Sequence, residues 1–176
     1  MKRVIYLSFF LIIININAQE KTIITDNKYK KHELRVDISK PLIGSVLDIS
    51  YEYILSKNSS IGAKFIYLYA VDDKNDFFIK KALNLYYRKY FFNKNIFTKG
   101  FFLEGFTSLN DTRPAFKESA INLGFGLSVG NKFIIKSKFI IEPFIAFGLN
   151  VFKNKNYNTI DDNILGNFGL SIGYRF

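Results

Sequence analysis

Ile164 to Phe176 (ILGNFGLSIGYRF) decides the reading of this chain. At period two, Ile164, Gly166, Phe168, Leu170, Ile172, Tyr174 and Phe176 share one face. Leu165, Asn167, Gly169, Ser171, Gly173 and Arg175 share the other. One face is greasy and the other is small, polar or charged, as expected of a β-strand between two unlike media.

The same alternation recurs upstream. Strands are expected over about 33–40, 46–55, 60–70, 77–91, 99–109, 119–135 and 139–152, which with the last stretch makes eight. In the second, Leu47, Ile49, Tyr51, Tyr53 and Leu55 oppose Asp48, Ser50 and Glu52. In the third, Ile61, Ala63, Phe65, Tyr67 and Tyr69 point outward, which sends Ile66 and Leu68 inward with Lys64. Lys81 falls on the outer face of the fourth strand and belongs near a rim, where its long side chain can snorkel. Pro41 to Ser45, Lys57 to Ser59, Asp72 to Asp76, Asn93 to Asn95, Asn110 to Glu118, Lys136 to Lys138 and Lys153 to Asn163 supply the breaks. The connections after strands two, four and six are the tight ones. Pro143 lacks an amide donor, so a bulge is expected there. Eight strands with connections this short form antiparallel neighbours. The expected fold is all-β, an eight-stranded antiparallel up-and-down barrel.

The last stretch resembles the closing strand of outer-membrane β-barrels, which typically ends in Phe after alternating apolar or aromatic residues. The chain as a whole is similar in size and pattern to the small OmpX-like and OmpA transmembrane-domain group. That resemblance implies a transmembrane β-barrel in the cell outer membrane, with outer-membrane lipid around it. It also implies that Tyr174 and Phe176 form the signal read by the barrel-assembly machinery. A structural, envelope-maintenance or surface-interaction role follows from it, in a monomer that contacts any surface ligand through Val71–Asp76, Asn110–Glu118 and Lys153–Asn163.

The beginning of the chain fits that address. Lys2 and Arg3 precede an apolar run from Val4 to Ile14, and small Ala18 stands before polar Gln19 and Glu20. Residues 1–18 read as a secretory signal peptide, too short in its apolar run for the roughly 20 residues of a spanning helix. Residues 19–32 read as a polar periplasmic leader and 33–176 as the barrel. The sequence has no cysteine, which excludes disulfides and a lipid-modified N-terminal Cys. It is 18% aromatic, with 20 Phe and 11 Tyr, and 23% charged. Apolarity spread over alternating segments, without one long apolar run, is the composition of a membrane barrel. The formal charge of +10 falls to +8 without Lys2 and Arg3. A secretory signal turns that basic balance away from nucleic acid and toward lipid head groups.

Parity places Arg35, Lys64, Lys80, Arg88 and Arg175 inside, facing Asp37, Asp48, Glu52, Glu104 and Glu142. The interior of an eight-stranded barrel is only wide enough for side chains, so these charges are expected to pair. Gly124, Gly126, Gly148, Gly169 and Gly173 face the same way and relieve crowding. Two readings of the network stand open: a plugged structural core, or a narrow ion path or proton relay. The one histidine, His32, falls in the leader, so a Ser/His/Asp site lacks its base and no enzyme is expected. Acid pairs at Asp72, Asp73 and Asp76, or at Asp161 and Asp162, could attract a divalent cation, but no EF-hand spacing is present. No cofactor is expected. The alternative is a lipid- or small-apolar-ligand-binding barrel, either in the membrane or soluble and lipocalin-like, the soluble form with apolar residues inside and polar ones outside.

Overall fold

The computed structural model describes residues 30–69, 79–91, 97–112, 120–153 and 164–176. Eight strands form one closed antiparallel barrel in sequence order. They are β1 (His32–Asp37), β2 (Val46–Ser56), β3 (Ser59–Leu68), β4 (Ile79–Tyr90), β5 (Gly100–Thr112), β6 (Ala120–Ile135), β7 (Phe139–Lys153) and β8 (Ile164–Arg175). A six-residue helix, α1 (Ser39–Gly44), joins β1 to β2. Every strand pairs with its sequence neighbours, and β1 pairs with β8 to close the wall.

Alternation follows directly from the sequence. Along β2, Val46, Asp48, Ser50, Glu52 and Ile54 are buried, while the residues between them are at least partly exposed. Along β3, Ile66 and Leu68 are buried and Phe65 and Tyr67 are exposed, as their parity requires. The outer wall is an apolar band that includes Leu85, Leu127, Ile145, Phe147 and Phe168.

The register fixes the width of the barrel. Starting at Glu33, paired positions run through Glu52, Gly62, Tyr86, Phe106, Gly126 and Gly148 to Leu165. The partner of Glu33 on β8 is Arg175, ten residues further on. Eight strands with a stagger of ten residues tilt by about 40° and give a radius of about 8 Å. Such a lumen holds side chains and little else.

The connections β2–β3, β4–β5 and β6–β7 lie at the end where β1 begins and β8 finishes, here the proximal end. The β6–β7 turn is tight, with Lys136 and Ser137 both at positive φ (50° and 58°) and Lys138 N–H donating to Ile135 C=O at 3.1 Å. At this end Phe97 and Thr98 tuck beneath the lumen and are buried. Thr98 N–H donates to Lys57 C=O at 2.8 Å, tying that segment to the β2–β3 turn. At the distal end α1 lies against the mouth.

The structure corrects four expectations. The break at Pro41–Ser45 is the body of α1 and its capping residue Ser45, because Asp37 Oδ1 accepts from Ser39 N–H (2.8 Å) and Lys40 N–H (3.3 Å) and ends β1 early. His32 is the first residue of β1 rather than part of a leader. Asn110 is buried within β5 rather than in a loop, where its amide donates to Asn150 Oδ1 at 2.9 Å. No bulge occurs at Pro143. The β6–β7 pairs opposite it drop out between Gly130↔Phe144 and Phe133↔Ile141, yet the register is the same on both sides. Missing an N–H removes a rung without inserting a residue. The register shift of this ladder lies instead at Leu123/Gly124. Residues 1–29, Val71–Asp76, 113–118 and 154–163 lie outside the described residues, and with them the signal segment, most of the leader and most of the three contact loops.

Candidate site: a charge network in the lumen

Inward parity on six strands delivers the charged groups of the proximal half: Glu33 and Arg35 from β1, Glu52 from β2, Arg88 from β4, Glu104 from β5, Lys132 from β6 and Glu142 from β7. Arg175 from β8 completes the set. All are buried. Four cations and four carboxylates meet, so the described network is electrically neutral, as a low-dielectric interior demands.

Glu52 is the hub. It accepts from Arg35 Nη1, from Arg88 Nη1 at 3.2 Å, from Lys132 Nζ at 2.8 Å and from the Tyr90 hydroxyl at 2.7 Å. Glu142 reaches Arg35 Nη1 at 3.1 Å and Arg88 Nη1 at 2.8 Å. Glu33 binds Lys132 Nζ at 2.6 Å and Arg175 Nε at 2.8 Å. Glu104 accepts from Arg88 Nε at 2.9 Å. Arg175 also donates to Thr98 Oγ1 at 2.7 Å and to Phe97 C=O at 3.0 Å, which closes the proximal mouth.

Aromatic rings wall the network. The Arg88 guanidinium lies 3.8 Å from the Phe102 ring centroid, stacked rather than solvated. The Tyr86 hydroxyl accepts from Arg35 Nη2 at 2.8 Å. These rings need space on the facing strands, and glycine supplies it. A Cβ on Gly130 would meet Phe102 Cζ at 2.5 Å and Pro143 O at 2.6 Å. Gly124, Gly126, Gly148, Gly169 and Gly173 likewise lie against lumen side chains or a facing backbone.

A second, smaller cluster occupies the distal half. Lys40 turns from α1 into the lumen onto Asp48 and sits 3.8 Å from Asp37. Burial pulls its ammonium below the usual lysine range, and Asp48 offsets part of that effect. Lys64 lies 4.4 Å from the Phe144 ring centroid. A largely apolar cluster of Tyr86, Phe106, Ala146 and Leu165 also packs in the lumen, with the Tyr86 hydroxyl turned to the proximal network.

Of the residues singled out by sequence, Arg35, Glu52, Arg88, Glu104, Glu142 and Arg175 meet in the proximal network. Asp37 and Asp48 lie in the distal one. Lys64 is buried beside Phe144 and makes no ion pair with a described carboxylate. Lys80 departs from expectation. A register shift between Ile79 and Lys81 turns Ile79 into the core and leaves Lys80 half-buried, outside every described ion pair. Sequence reasoning missed Glu33, Lys132 and Lys40. Lys132 was within reach, since the inward series Asn122, Gly124, Gly126, Ser128 and Gly130 continues to it. Lys40 was not, because its direction depends on α1.

Tyr174 and Phe176 sit on the outer proximal rim. Tyr174 packs edge-on against Phe139 at 5.6 Å. Phe176 stacks on His32 at 5.8 Å, and the His32 ring bonds the Tyr51 hydroxyl at 2.6 Å. The histidine therefore belongs to the rim, with aromatic neighbours. Among the described residues no group of His, Asp and Glu is disposed to hold a metal. The proximal lumen offers dense, mutually satisfied ion pairs, whereas in the distal cluster Asp37 Oδ2 is buried without a hydrogen-bond partner among the described residues. Compared with family models, curated proteins and solved structures, the chain matches none.

Proposed function

We propose that this protein is a small outer-membrane β-barrel that acts without catalysis, as a structural or surface-interaction element of the cell envelope. The observation that carries the reading is the inversion of the barrel. Its outer wall is a broad band of Phe, Leu, Ile and Tyr, while its lumen holds charges. In water such a band is an aggregation hazard, whereas in hydrocarbon it is the favourable surface. A closed sheet leaves no unpaired strand edge, which a bilayer requires. Rings at the proximal rim (Tyr51, Phe101, Phe139, Tyr174, Phe176) suit a membrane–water interface.

The lipocalin-type alternative needs an apolar cavity inside a polar wall, whereas among the described residues the wall is apolar and the lumen charged, which favours the membrane reading. The plugged core is the reading of the network favoured over an ion path, because aromatic rings and eight paired charges fill the proximal lumen.

Heat-modifiable migration tests the proposal. Refolded in detergent, the protein should run as a compact, protease-resistant band before boiling and more slowly after it. In cells, deletion of Phe176 should impair assembly. A monomer stable in plain buffer would instead make the barrel a soluble one.

A further inference from the structure

The proximal end carries a one-sided charge. Lys30, Lys31, Lys57, Lys99, Lys136 and Lys138 occupy its segments, all at least partly exposed. The connecting residues 57–58, 91–99 and 136–138 contain no Asp or Glu at all. Among the described residues, the acids nearest this end, Glu33, Glu52, Glu104 and Glu142, are sealed in the lumen and already neutralised there. In sequence, the segments that join strands at the distal end instead mix both signs, with Asp72, Asp73, Asp76, Glu118, Asp161 and Asp162 set against Lys40, Lys74, Arg113, Lys117 and Lys155. The lysines border an aromatic rim. Lys30 Nζ lies 5.7 Å from the centroid of Tyr174 on the outer rim, while Lys57 Nζ lies 5.9 Å from that of Phe97, the ring buried beneath the lumen. Ammonium groups just beyond a ring of Phe and Tyr stand at the depth of lipid phosphates when the rings sit at the interface.

We propose that the proximal rim is a seat for the head groups of anionic phospholipids in the leaflet on that side, with the lysines binding phosphate and the aromatic rim the glycerol level. The proposal rests on the membrane-barrel reading. It adds a lipid preference and a side to it.

The test refolds the protein into phosphatidylcholine vesicles containing a minor fraction of phosphatidylglycerol. It then compares retained lipid by native mass spectrometry at matched chain length. Phosphatidylglycerol should be enriched about fivefold or more over its share of the vesicle. In a Lys57→Gln, Lys99→Gln, Lys136→Gln, Lys138→Gln variant the enrichment should disappear while the compact unboiled band persists. Lys81→Gln, at the other rim, should leave it intact. Should the quadruple variant fail to fold, salt decides on the unaltered protein. At about 1 M, where screening acts within roughly 3 Å, the enrichment should vanish with the barrel folded. Equal retention of both lipids in the unaltered protein overturns the proposal, as does enrichment that survives the quadruple change. Heparin binding that needs the same lysines, without lipid enrichment, overturns it in favour of a soluble polyanion. Failure to enter vesicles at all strikes the membrane reading itself, and entry without enrichment strikes only the lipid seat.

Discussion

Lys132 Nζ on β6 meets Glu33 Oε2 on β1 at 2.6 Å, and the bond crosses the lumen between strands that do not touch in the wall. The same ammonium reaches Glu52 on β2 and lies 3.7 Å from Glu142 on β7. One side chain thus ties four strands together.

Removing it should leave three buried carboxylates short of a cation. Lys132→Met is expected to destabilise the barrel by about 3–5 kcal/mol, the usual cost of breaking a buried pair from one side. Urea unfolding of the refolded protein, followed by circular dichroism, measures it. Adding Glu33→Gln to the same chain should recover part of the loss, because the two sites share a partner network. A single variant as stable as the parent would mean that the ion pairs contribute nothing.

Gly130 and Gly105 separate the two faces of the wall. Gly130→Ala drives a methyl group into Phe102 and the Pro143 carbonyl, and is expected to cost about 1–3 kcal/mol through overpacking. Gly105 has open space where its Cβ would be, so Gly105→Ala should change stability by about 0.5 kcal/mol or less. Equal effects at the two positions would contradict the inward packing of the Phe102 ring.

Leu127 lies midway along β6 on the outer wall, 60% exposed. With hydrocarbon outside, Leu127→Arg should cost about 2–4 kcal/mol in vesicles. With water outside, a surface change of this kind costs about 0.5 kcal/mol or less. The difference in unfolding free energy between vesicle-embedded parent and variant separates these outcomes.

The β6–β7 turn holds two side-chain-bearing residues at positive φ, where glycine is the favoured residue. Ser137→Gly relieves a backbone conformation that an L side chain resists. It should stabilise the barrel by about 0.5–1 kcal/mol, visible as a higher urea midpoint. A lower midpoint would show that Ser137 makes a contact worth more than the strain.

Period two was enough to read the strands, because each lies between two media and must show both in its sequence. Leu165 and Phe168, three residues apart on β8, end up on opposite faces for no other reason. Parity could sort Arg88 and Glu142 inward, but it could not make them partners. That depends on the ten-residue stagger, which sets the height of every residue along the barrel. Bulges add to the difficulty: the shift at Ile79/Lys81 removes Lys80 from the lumen, and nothing in the local sequence marks it. The helix α1 was hidden by its own Pro41 and Gly44, which read as breakers. Asp37 closes that turn through a side-chain bond that alternation does not record.

The seam between β1 and β8 has a kinetic meaning. Seven of the eight ladders join neighbours in sequence, and each can form as the chain lengthens into a curling sheet. The β1–β8 ladder joins residues such as Glu33 and Arg175, 142 positions apart, over just five paired positions. Ring closure over that separation carries the largest entropy loss of any pairing in the molecule, against one of its shortest ladders. Glu33 offsets this as a latch: it grips Arg175 across the seam and Lys132 across the lumen, and both contacts form only once the circle is complete. Closure is therefore expected late in assembly, and the seam is where backbone amides should exchange first.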